Sequence, residues 1–349
     1  MNKIILYNNK QFKQSNLNFM LIILLIFSTL ITMNSTSWIS AWMGMEINMM
    51  TFIPMLMMKT KFIKSSNSMM TYFMIQASSS SILLFMILMN KLEINFYKIN
   101  LLIFFIQISL LMKLGAAPLH WWIPKIINFM NWKNCFILLT WQKLAPLFLI
   151  YLTKSSSIIY YSIITSMTIG AIMGLNQTSL KLLITYSSIN HISWMLMSLL
   201  INFMMFIFYF IIYMMTIFFI CLMFNNLNID FLNQLFKNNN INIFKKINVM
   251  LMFLSMGGIP PMVGFLPKFK ILMSMMENKL IMESMIFIMF SLITLLYYMS
   301  PLISMLMIIK MNNKWNLLKF NMLKYMLMLM MMYFMMSMLM ILPLTFMMN

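Results

Sequence analysis

Apolar runs of about 17 to 30 residues follow one another along almost the whole chain, parted only by short polar breaks. Runs of that length cross a bilayer as helices, and the polar breaks are too short to form a soluble domain. The 349-residue chain is 62% hydrophobic and 8% charged. With a mean hydropathy of +0.89, it falls in the all-α, polytopic membrane class.

About eleven spans are expected, near 17–33, 37–58, 68–89, 99–123, 134–153, 158–175, 182–201, 203–224, 247–276, 284–309 and 322–346. Residues 1–16 read as a basic N-terminal extension, and 17–346 as one transmembrane domain. No cleavage site follows the first run, so it reads as a retained span rather than a signal peptide.

The net charge of +19 comes from lysine alone. The lysines are scattered over short loops without interleaved aromatics, which excludes a nucleic-acid surface. Sixteen of the 24 fall on one side of the expected spans; Lys91, Lys98, Lys154 and Lys279 fall on the other. The positive-inside rule then puts the N-terminus in the matrix and the C-terminus in the intermembrane space. The compartment follows from composition. No arginine, two valines and 52 methionines are what an AT-rich gene encodes when ATA is read as Met, as in animal mitochondria. Cys135 and Cys221 stand far apart in apolar runs and form no metal or disulfide framework.

Two spans are interrupted. One reads Lys113-Leu-Gly115-Ala-Ala-Pro118-Leu-His120-Trp-Trp-Ile-Pro124-Lys125; the other reads Gly257-Gly258-Ile-Pro260-Pro261-Met-Val-Gly264-Phe-Leu-Pro267-Lys268. Proline removes a helical donor and glycine permits the bend. Such backbone persists at membrane depth only where it is buried in protein or lines a hydrated cavity. Gly115, Pro118, Pro124 and Lys125 match Gly258, Pro261, Pro267 and Lys268 at one constant offset. An inverted repeat of halves 17–153 and 158–309, with a final helix at 322–346, is the architecture this predicts.

Four ionisable residues lie well inside apolar runs: Glu46, Lys113, Lys143 and Lys268. A charged group at that depth costs several kcal/mol if it faces lipid, so such groups mark ion or proton pathways. A buried ammonium is destabilised and a nearby carboxylate restores it, so a lysine can load and release a proton as its carboxylate approaches or withdraws. His120 and His191, the only histidines, are further proton-handling candidates, each with a helix-packing role as the alternative. Gly170-Ala-Ile-Met-Gly174 is a GxxxG packing pattern without chemistry. No phosphate loop, nucleophile elbow or metal set appears.

Trp42-Met-Gly-Met-Glu46-Ile-Asn48, Lys113-Leu-Gly-Ala-Ala-Pro-Leu-His120, Leu139-Thr-Trp-Gln-Lys143-Leu-Ala-Pro146 and Gly257-Gly-Ile-Pro-Pro-Met-Val-Gly-Phe-Leu-Pro-Lys268 resemble segments of the NADH dehydrogenase subunit 2 family of respiratory complex I. The resemblance runs in order through nearly the whole chain. It implies an antiporter-like, proton-pumping membrane-arm subunit of the eleven-span animal form, in the mitochondrial inner membrane. By that resemblance Glu46 pairs with Lys113, Lys143 lies on the central axis, and Lys268 exchanges protons at the second break. The chain would bind no cofactor itself; NADH, FMN, iron–sulfur clusters and ubiquinone belong to the whole complex. Its partners would be other membrane-arm and supernumerary subunits and lipids such as cardiolipin. The N-terminal extension is longer than usual for the family. The alternatives are a stand-alone cation/proton antiporter, and a structural membrane subunit that conducts nothing.

Overall fold

The computed structural model describes residues 2–57, 62–92, 96–153, 157–237, 243–260 and 262–311. Helices account for nearly all of them: α1 (Asn2–Met33), α2 (Trp38–Met57), α3 (Phe62–Leu92), α4 (Phe96–Leu114), α5 (Trp122–Ile127), α6 (Trp132–Leu139) and α7 (Trp141–Leu152). Then follow α8 (Ser157–Gly174), α9 (Leu180–Ile201), α10 (Phe203–Leu227), α11 (Leu232–Lys237), α12 (Ile243–Gly257), α13 (Phe265–Glu277) and α14 (Ile281–Met311). Among the described residues there is no strand, only an isolated bridge between Ser179 and Phe231. The chain divides into two compact units, the first ending at Thr165 and the second beginning at Ser166.

Local chemistry explains several helix limits. Ser179 caps α9 by accepting from the Leu182 N–H. Asn202 interrupts the helical path in extended conformation and caps α10 through its Oδ1. Asn228 closes α10 with φ +52, a left-handed conformation that asparagine tolerates. Many serine and threonine hydroxyls within the helices are satisfied locally. Ser28, Thr32, Ser79 and Ser109 each donate to the carbonyl three residues before, so none carries an unmet donor into the apolar interior.

Among the described residues, five stretches are long and apolar enough to cross a membrane: Ser66–Leu92, Trp132–Leu152, Ser157–Gly174, Phe203–Leu227 and Ile281–Ser304. Leu17–Met33, Asn100–Leu114 and Lys246–Gly257 are apolar but shorter. The latter two are cut off where α4 and α12 end. The α9 segment carries Ser187, Ser188, Asn190, His191 and Ser193, all buried, which lowers its hydropathy. Residues 2–16, read from sequence as an extension, continue the same helix as 17–33. The expected span 322–346 lies outside the described residues.

Each unit buries a core. Phe52, Tyr72, Leu83 and Leu110 fill the first, where Tyr72 meets Phe52 and Trp122 at ring centroid distances of 5.2 and 6.1 Å. Trp194, Tyr209, Phe253 and Phe287 fill the second. Large apolar side chains such as Phe19, Phe27, Met74, Met282 and Met289 are instead exposed on outer faces. So much bare apolar surface suits lipid or neighbouring chains rather than water.

Candidate functional site

The first unit's site is built on the end of α4. That helix stops at Leu114, and Gly115 turns with φ +67. A side chain there would be strained, and a Cβ would collide with Ile123. The released carbonyls are met again: Gly115 N–H and the Trp122 indole N–H both donate to Met112, at 3.1 Å each. Thr165 Oγ1 donates to Ala117 O at 2.9 Å. Polar groups at a helix end in an apolar interior need such partners.

Lys113 is therefore placed in the last turn of α4, 8% exposed. It faces a cavity of about 20 Å³, on a scale where one water needs about 10–15 Å³. Lys143, on α7 and 2% exposed, lines the same cavity. Its other polar walls are Asn48 of α2, Tyr72 and Gln76 of α3, and Gln142 of α7. Gln142 Nε2 donates to Asn48 Oδ1 at 2.9 Å, tying α7 to α2 beside the two lysines. Gln76 Nε2 reaches Lys113 O at 3.5 Å. Pro146, also in the wall, has no N–H to give the Gln142 carbonyl four residues earlier. The cavity thus offers water several acceptors and donors beside two buried lysines.

Glu46 of α2 is half-buried, and its carboxylate acts electrostatically on Lys113. Asn48, two residues on, rather than Glu46 itself, lines the cavity. His120 sits apart from the cavity lining, half-buried, with Nδ1 3.3 Å from Pro118 O. Lys125, matched to Lys268 by sequence offset, is exposed and lies over Trp121 at 4.9 Å.

In the second unit α12 stops at Gly257, and Gly258 turns with φ +78, so both helices end one residue before a left-handed glycine. Lys268, 7% exposed in the first turn of α13, reaches back to this end. Its Nζ donates to Gly257 O at 2.9 Å and Met256 O at 3.2 Å. The last carbonyls of a helix lack intrahelical donors and carry the negative end of its dipole, which suits an ammonium. Pro267 lies in the first turn of α13, where its missing N–H costs nothing. Pro260 follows in the turn; Pro261 lies outside the described residues. His191 of α9 is buried, with Nδ1 2.6 Å from the Tyr209 hydroxyl.

Lys113 and Lys143 thus come together, with Glu46 in electrostatic reach, while Lys268 and His191 belong to the second unit. Sequence reading passed over Gln76, gave no role to Asn48 although it stands in the motif quoted for Glu46, and read Gln142, with Trp141 and Pro146, only as shaping the kinked helix around Lys143. It also placed Lys246 in a loop; it is 6% exposed in the first turns of α12. Among the described residues no three His, Cys, Asp or Glu side chains gather to hold a metal ion.

Residues 35–294 match the family described as NADH:quinone oxidoreductase/Mrp antiporter, TM. Two solved structures share the fold. A chain of respiratory complex I from Thermus thermophilus with bound aureothin superposes with TM-score 0.75 at 16% identity, covering 83% of this chain and 70% of that one. A chain of the Mrp complex from Dietzia sp. DQ12-45-1b gives 0.72 at 14%, covering 80% and 59%. The fold is that of the antiporter-like membrane proteins. Within that class, NADH-ubiquinone oxidoreductase chain 2 of Anopheles gambiae is 41% identical over 306 residues, 86% of this chain and 89% of the relative. The chain belongs to the NADH-ubiquinone oxidoreductase chain 2 family.

Proposed function

We propose that this chain is a core membrane-arm subunit of proton-translocating NADH:ubiquinone oxidoreductase in the mitochondrial inner membrane. It conducts protons through Glu46, Lys113, Lys143 and Lys268 while electrons pass through other subunits. The observation that carries this reading is the shared polar cavity of Lys113 and Lys143. A lipid-facing lysine at mid-membrane costs about 2.5–3.5 kcal/mol on the lenient insertion scale, whereas a lysine on a hydrated internal cavity keeps partners for its charge. Glu46 favours the charged form of Lys113; Lys143, across the cavity, takes a proton through water held by Asn48, Gln76 and Gln142. Lys268, held on the open end of α12, serves the second half of the path. His120 and His191 are secondary proton carriers in this scheme.

The finer architecture belongs to the same reading: eleven spans, α4–α5 and α12–α13 as discontinuous helices of two inverted halves, and an N-terminus in the matrix. Flavin, iron–sulfur clusters and quinone are held by other subunits, and the exposed apolar faces meet those subunits and lipids such as cardiolipin.

The test is charge removal in the assembled complex. Lys143→Met and Lys268→Met should each leave the complex assembled and depress coupled proton translocation. Wild-type translocation in both would refute conduction by this chain and favour a structural role.

A further inference from the structure

Two polar stripes meet inside the second unit. Ser187, His191 and Trp194 recur at i, i+4 and i+7 on α9, and Tyr209, Tyr213 and Thr216 recur at the same spacing on α10. Their contact is close: the Tyr209 hydroxyl lies 2.6 Å from His191 Nδ1, and the Tyr213 ring 5.0 Å from the imidazole. Tyr209 is fixed from behind by Trp194, stacked at 6.5 Å, and Trp194 by Phe287, edge-on at 4.7 Å. A cavity of about 10 Å³ opens beside this pair, close to the room one water needs. His191, Tyr209, Tyr213, Thr216 and Ser255 give it polar walls. Thr216 and Ser255 donate to carbonyls of their own helices, so their oxygens remain able to accept from a water. The remaining wall includes Met256, Gly264 and Pro267, the edges of the α12–α13 turn. Met256 is one of the two residues whose carbonyls hold Lys268.

We propose that Tyr209 is a positioning residue for proton transfer, holding His191 at a hydrated cavity that leads to the carbonyl clamp of Lys268. This rests on the conduction reading above. A hydroxyl bonded to Nδ1, whichever of the two donates, ties the tautomer to its own hydrogen and fixes the ring plane. Without it Nδ1 loses the contact that orients it, and the geometry toward the cavity changes. The bland alternative is a packing histidine whose bond to Tyr209 serves stability alone. The cavity weighs against it, because it joins this pair to the helix end where Lys268 is bound. Among the described residues, the titratable groups around His191 and its partners are Tyr209, Tyr213 and Cys221 of α10 and Tyr298 of α14, with Lys268 of α13 beyond the cavity wall at Met256.

The experiment is Tyr209→Phe in the whole complex, reconstituted in liposomes, with proton translocation and NADH oxidation recorded together across about pH 6–8, on either side of neutrality. The ring and its stacking on Trp194 are kept; only the hydroxyl goes. Assembly should be unchanged and translocation should fall about three- to tenfold, the worth of one such bond. The ratio of variant to wild type should vary with pH. Wild-type translocation, or a loss that is constant across pH, overturns the proposal. Should the phenylalanine variant fail to assemble, His191→Gln decides instead. Glutamine still gives the Tyr209 hydroxyl a partner but carries no proton, so translocation must fall in the assembled complex; a wild-type value there is equally fatal. Lys268→Met, run alongside, separates the two claims. Wild-type translocation in it and in Lys143→Met together sinks the conduction reading, while an impaired Lys268→Met beside an unimpaired Tyr209→Phe sinks only the role of Tyr209.

Discussion

Neighbouring glycines at the end of α12 should respond oppositely to alanine. Gly258 has φ +78, and a Cβ built there meets Lys268 Nζ at 3.0 Å, Cδ at 3.1 Å and Cε at 3.3 Å. The left-handed backbone alone costs about 1–2 kcal/mol for an L residue. The lysine must also withdraw by a few tenths of an ångström, away from carbonyls it now reaches at 2.9 and 3.2 Å. Each charge-assisted bond is worth about 1.5–3 kcal/mol, and so small a shift weakens the pair without breaking it, adding no more than about 1–3 kcal/mol. Gly257 is different: its Cβ would touch only Tyr298 Cδ2 at 3.7 Å, an ordinary contact, and its carbonyl stays in place. Alanine there should be neutral or stabilise by up to about 1 kcal/mol. Both variants would be assayed for complex abundance on native gels, thermal inactivation, and protons moved per NADH oxidised. Gly258→Ala should lower thermal stability and coupled translocation together, while Gly257→Ala stays close to wild type. Indistinguishable behaviour of the two would refute the link between the glycine turn and the seat of Lys268.

Asn48→Leu should destabilise by about 1–3 kcal/mol, because the Gln142 amide loses its 2.9 Å acceptor in a buried wall; an unchanged inactivation temperature would mean that water replaces the bond fully. The same variant should also slow translocation, since it strips one polar wall from the cavity shared by Lys113 and Lys143. Asp230→Asn should cost no more than about 1 kcal/mol, although Asp230 sits 2.9 Å from Lys181, because the aspartate is 51% exposed. A loss well above that would show that the Ser179–Phe231 bridge depends on the ion pair.

Buried charge and glycine–proline clusters stand out in the sequence because both are rare in an apolar chain. Lys113, Lys143 and Lys268 stand out by chemistry alone, and all three are buried. Gly115 and Gly258 could be picked out because proline and glycine leave few backbone choices, and both take positive φ. Distance was not legible. The Asn48–Gln142 bond joins residues 94 apart, so it depends on α2 meeting α7. Tyr209 was passed over for another reason: tyrosine is grouped with the hydrophobic residues in the composition, which hides the 209–213–216 stripe opposite His191. Lys125 shows the limit of matching by offset, since the same position in the two breaks is an exposed lysine in one and a buried one in the other. Among the described residues, helix ends at Leu114 and Gly257 shorten two apolar runs that look continuous in sequence.

An ammonium has three hydrogens, and the open end of α12 occupies two of Lys268's, on Gly257 and Met256. A neutral amine keeps two N–H bonds, so both contacts survive when the third hydrogen departs. Lys268 can therefore change charge while staying where it is, with no swing of its long side chain. Tetrahedral geometry then gives the mobile hydrogen a single direction, away from the two carbonyls. Whatever group receives it must approach along that line.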